Sequence, residues 1–171
     1  MKENARKITM KGNPLTLIGK QPEVGEPAPD FEVLDNDLQP VSLSSFQGKV
    51  RVIASVPSLD TPVCDMETRR FNEEAGMLGT DVTILVISMD LPFAQKRWCG
   101  ATGVDKVTTL SDHLSVSFGE AYGVLIKELR LLARAIFVVD EDGTVQYVQL
   151  VKEVTDEPDY DAVLEALKKL V

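Results

Sequence analysis

Cysteine, histidine and tryptophan are scarce in this chain of 171 residues, which has two cysteines, one histidine and one tryptophan. That inventory excludes Cys₄ and Cys₂His₂ zinc sites, and it makes any multi-histidine metal centre or histidine-driven nucleophile depend on His113 alone. A run of about 18 apolar residues is also missing, so no segment reads as a bilayer span. Met1 to Asn13 carry positive charge without the apolar stretch that a secretory signal needs. Basic residues are the minority, 18 against 27 acidic ones, for a net charge of −9. Such a surface repels phosphate backbones and anionic lipid, so neither nucleic acid nor membrane is expected as a partner. A cytoplasmic location is the expectation. In a reducing compartment two cysteines are better read as reactive than as a structural staple. What the chain does have is 44% hydrophobic residues, enough for one compact body with a substantial core.

Ile8, Met10, Leu15 and Leu17 alternate on either side of Gly12-Asn13, which predicts a short β-hairpin. Residues 1–21 are therefore expected to be an N-terminal hairpin extension, and residues 22–171 the main body, joined through the proline-bearing stretch Gln21 to Pro29. Strands are expected at Phe31–Leu34, Val41–Leu43, Val50–Val56, Val82–Met89 and Val107–Leu110, and as a hairpin at Ala135–Val139 and Val145–Leu150. Helices are expected at Thr61–Leu78, at Pro92–Cys99 ended by Gly100, and around Leu114–Tyr122 closed by Gly123. A last helix follows Pro158, with Tyr160, Val163, Leu164, Leu167 and Val171 at helical spacing. Alternating strands and helices predict an α/β fold with parallel strands and helices on both faces. A strand-helix-strand unit followed by strand-strand-helix is the thioredoxin-like layout, here with an insertion between the two halves.

Val56-Pro57-Ser58-Leu59-Asp60-Thr61-Pro62-Val63-Cys64 is the most informative stretch. Thr61 suits an N-cap and Pro62 the first helical position, which puts Cys64 in the first turn. Cys64, Thr68, Phe71, Ala75 and Leu78 share a stripe that faces the sheet. The thiol should sit sheltered at the carboxyl edge of the central strand, where open α/β sheets bind ligands. An ordinary thiol is only about 3% thiolate at pH 7, and lowering its pKa to near 6 needs roughly 3.4 kcal/mol. A helix N-terminus provides at most about 2 kcal/mol. A cation is therefore required, more so because Asp65 and Glu67 would oppose the anion unless they face solvent. Arg134, at the mouth of the apolar strand that follows it, is the candidate; the alternative is an arginine ending a strand in solvent. Arg69 and Arg70 lie too far into the helix. Without its setting, Cys64 would read as a small buried hydrophobe.

Cys99 follows 35 residues later, at the end of the next helix. No Cys-x-x-Cys motif occurs, which argues against an ordinary dithiol oxidoreductase. A permanent bridge over such a loop would stabilise by roughly 4 kcal/mol, yet a cytosol would keep it reduced, so a bond made and broken in turnover fits better. Taken alone, Cys99 reads as an inert thiol near a helix end.

Pro57, Thr61 and Cys64 match the Pro-x-x-x-Thr-x-x-Cys pattern of the peroxiredoxins, and Pro57 to Cys64 in full resembles their thiol peroxidase branch. Asp90-Leu91-Pro92-Phe93-Ala94-Gln95 leading to Cys99-Gly100, Ala121-Tyr122-Gly123-Val124, Ala133-Arg134-Ala135 and Glu157-Pro158-Asp159-Tyr160 extend the resemblance along the chain. Leu125 to Leu132 is the stretch least like the family pattern. The resemblance implies that Cys64 is the peroxidatic cysteine, that Thr61 bonds the peroxide oxygens, and that Pro57 shields the thiolate. It makes Arg134 the residue that holds thiolate and peroxide, and Cys99 the resolving cysteine of the same chain. It further implies hydrogen peroxide and alkyl hydroperoxides as substrates, thioredoxin as reductant, a homodimer, and no metal or other cofactor. Tyr122 and Trp98 are candidates to line an apolar approach, and His113 reads as a surface residue. Two other classes stay open on the residues alone: a thiol-disulfide exchanger, and a binding module in which the cysteines are incidental.

Overall fold

The computed structural model describes residues 2–78 and 81–170; Val171, the end of the expected last stripe, lies outside them. The elements in chain order are β1 (Glu3–Met10), β2 (Asn13–Ile18), β3 (Glu32–Leu34), β4 (Pro40–Ser42), β5 (Val50–Ser55), α1 (Pro62–Leu78), β6 (Val82–Ser88) and α2 (Pro92–Thr102). They continue with β7 (Thr108–Ser111), α3 (Ser117–Ala121), β8 (Leu125–Ile126), β9 (Leu131–Leu132), β10 (Ala135–Val139), β11 (Val145–Leu150) and α4 (Tyr160–Lys168).

A seven-stranded sheet runs β11-β10-β5-β6-β7-β3-β4. Its centre, β5-β6-β7, is parallel, and β10, β11, β3 and β4 are antiparallel to their neighbours. The period of two along the central strands divides the interior into two cores. Val52, Ala54, Ile84, Val86, Ile136 and Val138 face one core, which α1, α2 and α4 close with Cys64, Phe71, Trp98, Val163 and Leu167. Ile53, Leu85, Ile87, Ala135 and Phe137 face the other, which Phe118 of α3 and the adjoining Tyr122 close together with Ile8 and Leu17 of the N-terminal hairpin. The units β5-α1-β6 and β10-β11-α4 follow the order expected from sequence, and residues 89–134 lie between them.

Three local expectations change, and one stretch for which no element was expected gains two strands. The first helix after β6 runs through Gly100 to Thr102 and stops at Gly103, whose φ of 72° allows its N–H to reach the Cys99 carbonyl. Gly100 is simply an exposed helical residue, so Cys99 lies in the last turn and not at the end. The short helix α3 begins only at Ser117, because Val116 takes a left-handed φ of 51°. Asp112, buried, caps that start by accepting the N–H groups of Phe118 at 3.0 Å and Gly119 at 2.8 Å, and burial pushes its carboxyl up to about 6. The hairpin turn is Lys11-Gly12, with φ of 51° and 82°, so Asn13 already pairs with Met10. Finally, Leu125 to Leu132 folds into β8, a tight turn and β9, and β8 pairs with β2 to give a second sheet, β1-β2-β8-β9.

Glu153 ties the hairpin to the body. Its carboxylate accepts from Thr9 Oγ1, the Lys11 and Gly12 N–H groups and both donors of Thr155. These donors hold the carboxyl far below the usual range. A depressed folded-state pKa stabilises above the ordinary glutamate value and ceases to do so as pH falls through the folded one. In Glu153→Gln, amide exchange over residues 8–17 should therefore accelerate at neutral pH, and the difference from the parent should shrink as the medium is acidified.

Candidate active site

The strand β5 ends at Ser55, and the Val56 N–H still bonds the Ile87 carbonyl at 3.0 Å before the chain turns through the buried Pro57 into α1. Pro62 opens the helix, so Cys64 is its third residue and is fully buried. The predicted stripe holds: Cys64, Thr68 and Phe71 are buried, and Ala75 and Leu78 pack on the same core. Thr68 Oγ1 donates to the Cys64 carbonyl at 2.8 Å. Thr61 does not cap the helix as expected. Its hydroxyl donates to the Ser58 carbonyl at 3.0 Å across the Ser58–Thr61 turn, and among the described residues it accepts from no helical N–H.

Arg134 is 2% exposed, so the solvent alternative for it is excluded. Its Nε and Nη2 both donate to the Val154 carbonyl, at 3.2 and 3.0 Å, and Nη1 reaches Glu67 Oε1 at 3.4 Å. Glu67, three residues after Cys64, occupies the same buried helix face. The guanidinium thus lies against the first turns of α1 on the side that carries the thiol. No hydrogen bond joins Arg134 to the Cys64 sulfur among the described residues. Arg69 and Arg70 are engaged elsewhere: Arg69 pairs with Asp65, while Arg70 pairs with Glu74 and lies 4.8 Å over the Tyr160 ring.

The carboxylates beside Cys64 do not simply face solvent. Asp65 binds Arg69 and also accepts the Trp98 indole N–H at 3.0 Å. Glu67 points inward, and its Oε2 has no hydrogen-bond partner among the described residues. Burial pushes its carboxyl up to about 7, although Arg134 pulls the other way. Glu67 was legible only as a neighbour of the stripe, since spacing cannot say which bordering residue turns in.

Cys99 is half-buried on α2 and packs against the same core as Cys64; both thiols are free. Its sulfur is 3.4 Å from Thr109 Oγ1. Trp98 also joins that core. Tyr122 does not: it is buried in the opposite core, stacked on Phe118 and donating to the Pro29 carbonyl at 2.7 Å, so it lines no approach to Cys64. His113 is half-buried, with its backbone N–H bonded to Ser111 Oγ. Asp90 was not singled out from sequence. It accepts from Ser58 Oγ, the Leu59 N–H and Ser88 Oγ at 2.7, 2.8 and 2.7 Å, and so pins the loop before α1 to the end of β6.

A family model described as Redoxin matches residues 23–164. A thiol peroxidase of Bacillus subtilis (strain 168) is 60% identical over 164 residues, covering 96% of this chain and 98% of that one. The chain belongs to the thiol peroxidase branch of the peroxiredoxins. A thiol peroxidase of Oceanobacillus iheyensis is 58% identical over 95% of this chain and 98% of that one. The crystal structure of a peroxiredoxin-like protein from Aquifex aeolicus superposes with a TM-score of 0.90 at 47% identity, covering 98% of both chains. The thioredoxin-like fold and the α/β class read from the sequence are those of this enzyme family.

The Glu67 environment has a measurable signature. A carboxyl raised in the folded state favours folding below the ordinary glutamate value, and that contribution is lost as pH rises through about 7. The stability difference between the parent and Glu67→Gln should shift against the parent by on the order of 1–3 kcal/mol between about pH 5 and 8 in urea unfolding. A constant difference across that window would show that Glu67 titrates normally.

Proposed function

We propose that this enzyme reduces hydrogen peroxide and alkyl hydroperoxides with Cys64 as the attacking thiolate and Cys99 as the resolving cysteine. The observation that carries the reading is the buried Arg134 guanidinium, which is set against the helix face that bears Cys64 and Glu67. A nearby cation adds to the helix N-terminus what the thiolate needs.

In the first step the Cys64 thiolate attacks one peroxide oxygen. The S–O bond forms, the O–O bond breaks, and the departing alkoxide or hydroxide takes a proton to leave as alcohol or water. Arg134 and the free N–H groups of the first turn of α1 stabilise the charge that develops on the leaving oxygen. Pro57, buried at the end of the strand, keeps water from the sulfur. Thr61 bonds the peroxide once its hydroxyl leaves Ser58. Cys99 then condenses with the Cys64 sulfenic acid, giving a disulfide and water. A disulfide needs Cα atoms within about 7 Å, and local unwinding of the helix segments that carry the two cysteines is the motion by which they would meet in each cycle.

Thioredoxin is the reductant we assign, by exchange with the disulfide, and cytoplasm is the compartment that keeps that reductant supplied. The two-cysteine family pattern supports both assignments. For a homodimer, the exposed Leu91 and Phe93 beside the site provide apolar surface that a second copy would cover, and light scattering tests it.

Peroxide consumption by the reduced protein tests the core reading. Cys64→Ser should abolish it, and Cys99→Ser should permit one turnover but not cycling with thioredoxin. Arg134→Lys should lower the second-order rate with peroxide by about 100-fold, because a lysine cannot keep the forked geometry. Turnover by Cys64→Ser would overturn the assignment of the nucleophile, and full cycling by Cys99→Ser that of the resolving residue.

A further inference from the structure

Of the two thiols, Cys99 is the more accessible. Cys64 is fully buried, whereas Cys99 opens on a cleft of about 330 Å³ that peroxide can enter. Accessibility alone would send the oxidant to the wrong sulfur.

Cys99 lies among groups of negative polarity. It occupies the last turn of α2, at the negative end of the helix dipole, where Cys64 has the positive end of α1. Asp35 and Asp37, from the turn between β3 and β4, and Asp105, beyond α2, line the same cleft. The nearby cations are committed or turned away. Lys96 is bound to Asp37 at 3.2 Å, the Lys106 side chain lies along α1 at Gly76, and exposed Arg97 is two residues from Cys99, a spacing that puts it on another helix face. The remaining polar contact is Thr109 Oγ1. That hydroxyl has one proton, and it is donated to Asn36 Oδ1 at 3.1 Å. With that proton committed to Asn36, the Thr109 oxygen faces the Cys99 sulfur at 3.4 Å with a lone pair free to accept its S–H.

We propose that Thr109, oriented by Asn36, is a positioning residue that holds Cys99 as the protonated thiol and so directs peroxide to Cys64. The inference rests on Cys99 being the resolving residue. In the reduced enzyme the S–H···O contact keeps the sulfur a poor nucleophile toward peroxide. When the Cys64 sulfenic acid arrives, Cys99 leaves Thr109. The S–S bond forms, the S–O bond of the sulfenic acid breaks, and the departing hydroxide takes the Cys99 proton as water. The sulfenic sulfur is reduced and the Cys99 sulfur is oxidised, so no further reactant is required.

The test uses the Cys64→Ser protein, whose only thiol is Cys99, and follows alkylation by iodoacetamide and oxidation by hydrogen peroxide across pH. Asn36→Ala frees the Thr109 proton for donation to a thiolate, and Thr109→Val removes the acceptor. Both should displace the alkylation profile to lower pH and speed both reactions at neutral pH by roughly two- to tenfold, the factor that one hydrogen bond is worth. Thr109→Ser keeps the hydroxyl and should retain the parent profile. Unchanged profiles in both Asn36→Ala and Thr109→Val, or a Thr109→Ser profile displaced as far as that of valine, would overturn the proposal. Because the Cys64→Ser protein does not depend on resolution, these outcomes are independent of the Cys99→Ser cycling experiment, which decides the resolving role separately.

Discussion

A guanidinium buried in the protein interior is the constraint around which the site is built. Taking a charge out of water costs several kcal/mol unless neighbours replace its hydration, and a charge left unpaired in the interior is strongly destabilising. Arg134 finds its replacement in the Val154 carbonyl, which takes two of its donors, and in one oxygen of Glu67. The carbonyl is useful only if the chain around residue 154 is fixed. The Val154 N–H bonds the Thr9 carbonyl, the Thr9 N–H bonds the Lys152 carbonyl, and Glu153 between them grips the hairpin turn. The N-terminal hairpin, far from the cysteines in sequence, thus holds in place the acceptor that orients the arginine.

The two cysteine segments are linked in a similar way. The Trp98 indole bonds Asp65, and each of these residues is the immediate neighbour of a cysteine. Asp90 fastens the loop before α1, while Gln95 of α2 donates to Ser88 Oγ and the Leu110 carbonyl. Unwinding one segment therefore releases donors and acceptors that the other satisfies. The bonds to the Asp65 and Asp90 carboxylates are worth about 1.5–3 kcal/mol each and the neutral ones from Gln95 about 0.5–1.5 kcal/mol, so together they tie the two segments to one another. The Asp65–Trp98 bond is the direct link between α1 and α2 beside the two cysteines.

Much of this was legible because the relevant signals were local and periodic. The β-branched runs gave β5, β6 and β10, and the four-three spacing after Cys64 gave the face that turns inward. Arg134 could be marked as out of place before an apolar strand, but its partners could not, since Val154 and Glu67 come to it from distant parts of the chain. The misreadings have the same origin. Gly100 looked like a helix stop, yet glycine tolerates an exposed helical position and Gly103 has the left-handed φ that ends the helix. Tyr122 looked available for substrate because spacing does not say which of two cores a helix covers. β8 and β9 are two residues long, too short for a periodic trace, and are defined by pairing with each other and, for β8, with the distant hairpin strand β2.

The net charge of −9 acquires a different meaning once Arg134 is placed. Its field across an acidic surface would disfavour a thiolate anywhere, so what matters is the local balance of one cation and the groups that compete for it. Glu67 approaches Arg134 through a single oxygen, its other oxygen has no hydrogen-bond partner among the described residues, and its carboxyl is raised to about 7. A carboxylate there would consume the guanidinium; a protonated carboxyl leaves it free. Burial is the larger influence on Glu67 and outweighs the pull of Arg134 on its carboxyl. The acidic residue that seemed in the sequence to stand as a fixed negative charge beside Cys64 is thereby a buried carboxyl whose charge is held back by its surroundings.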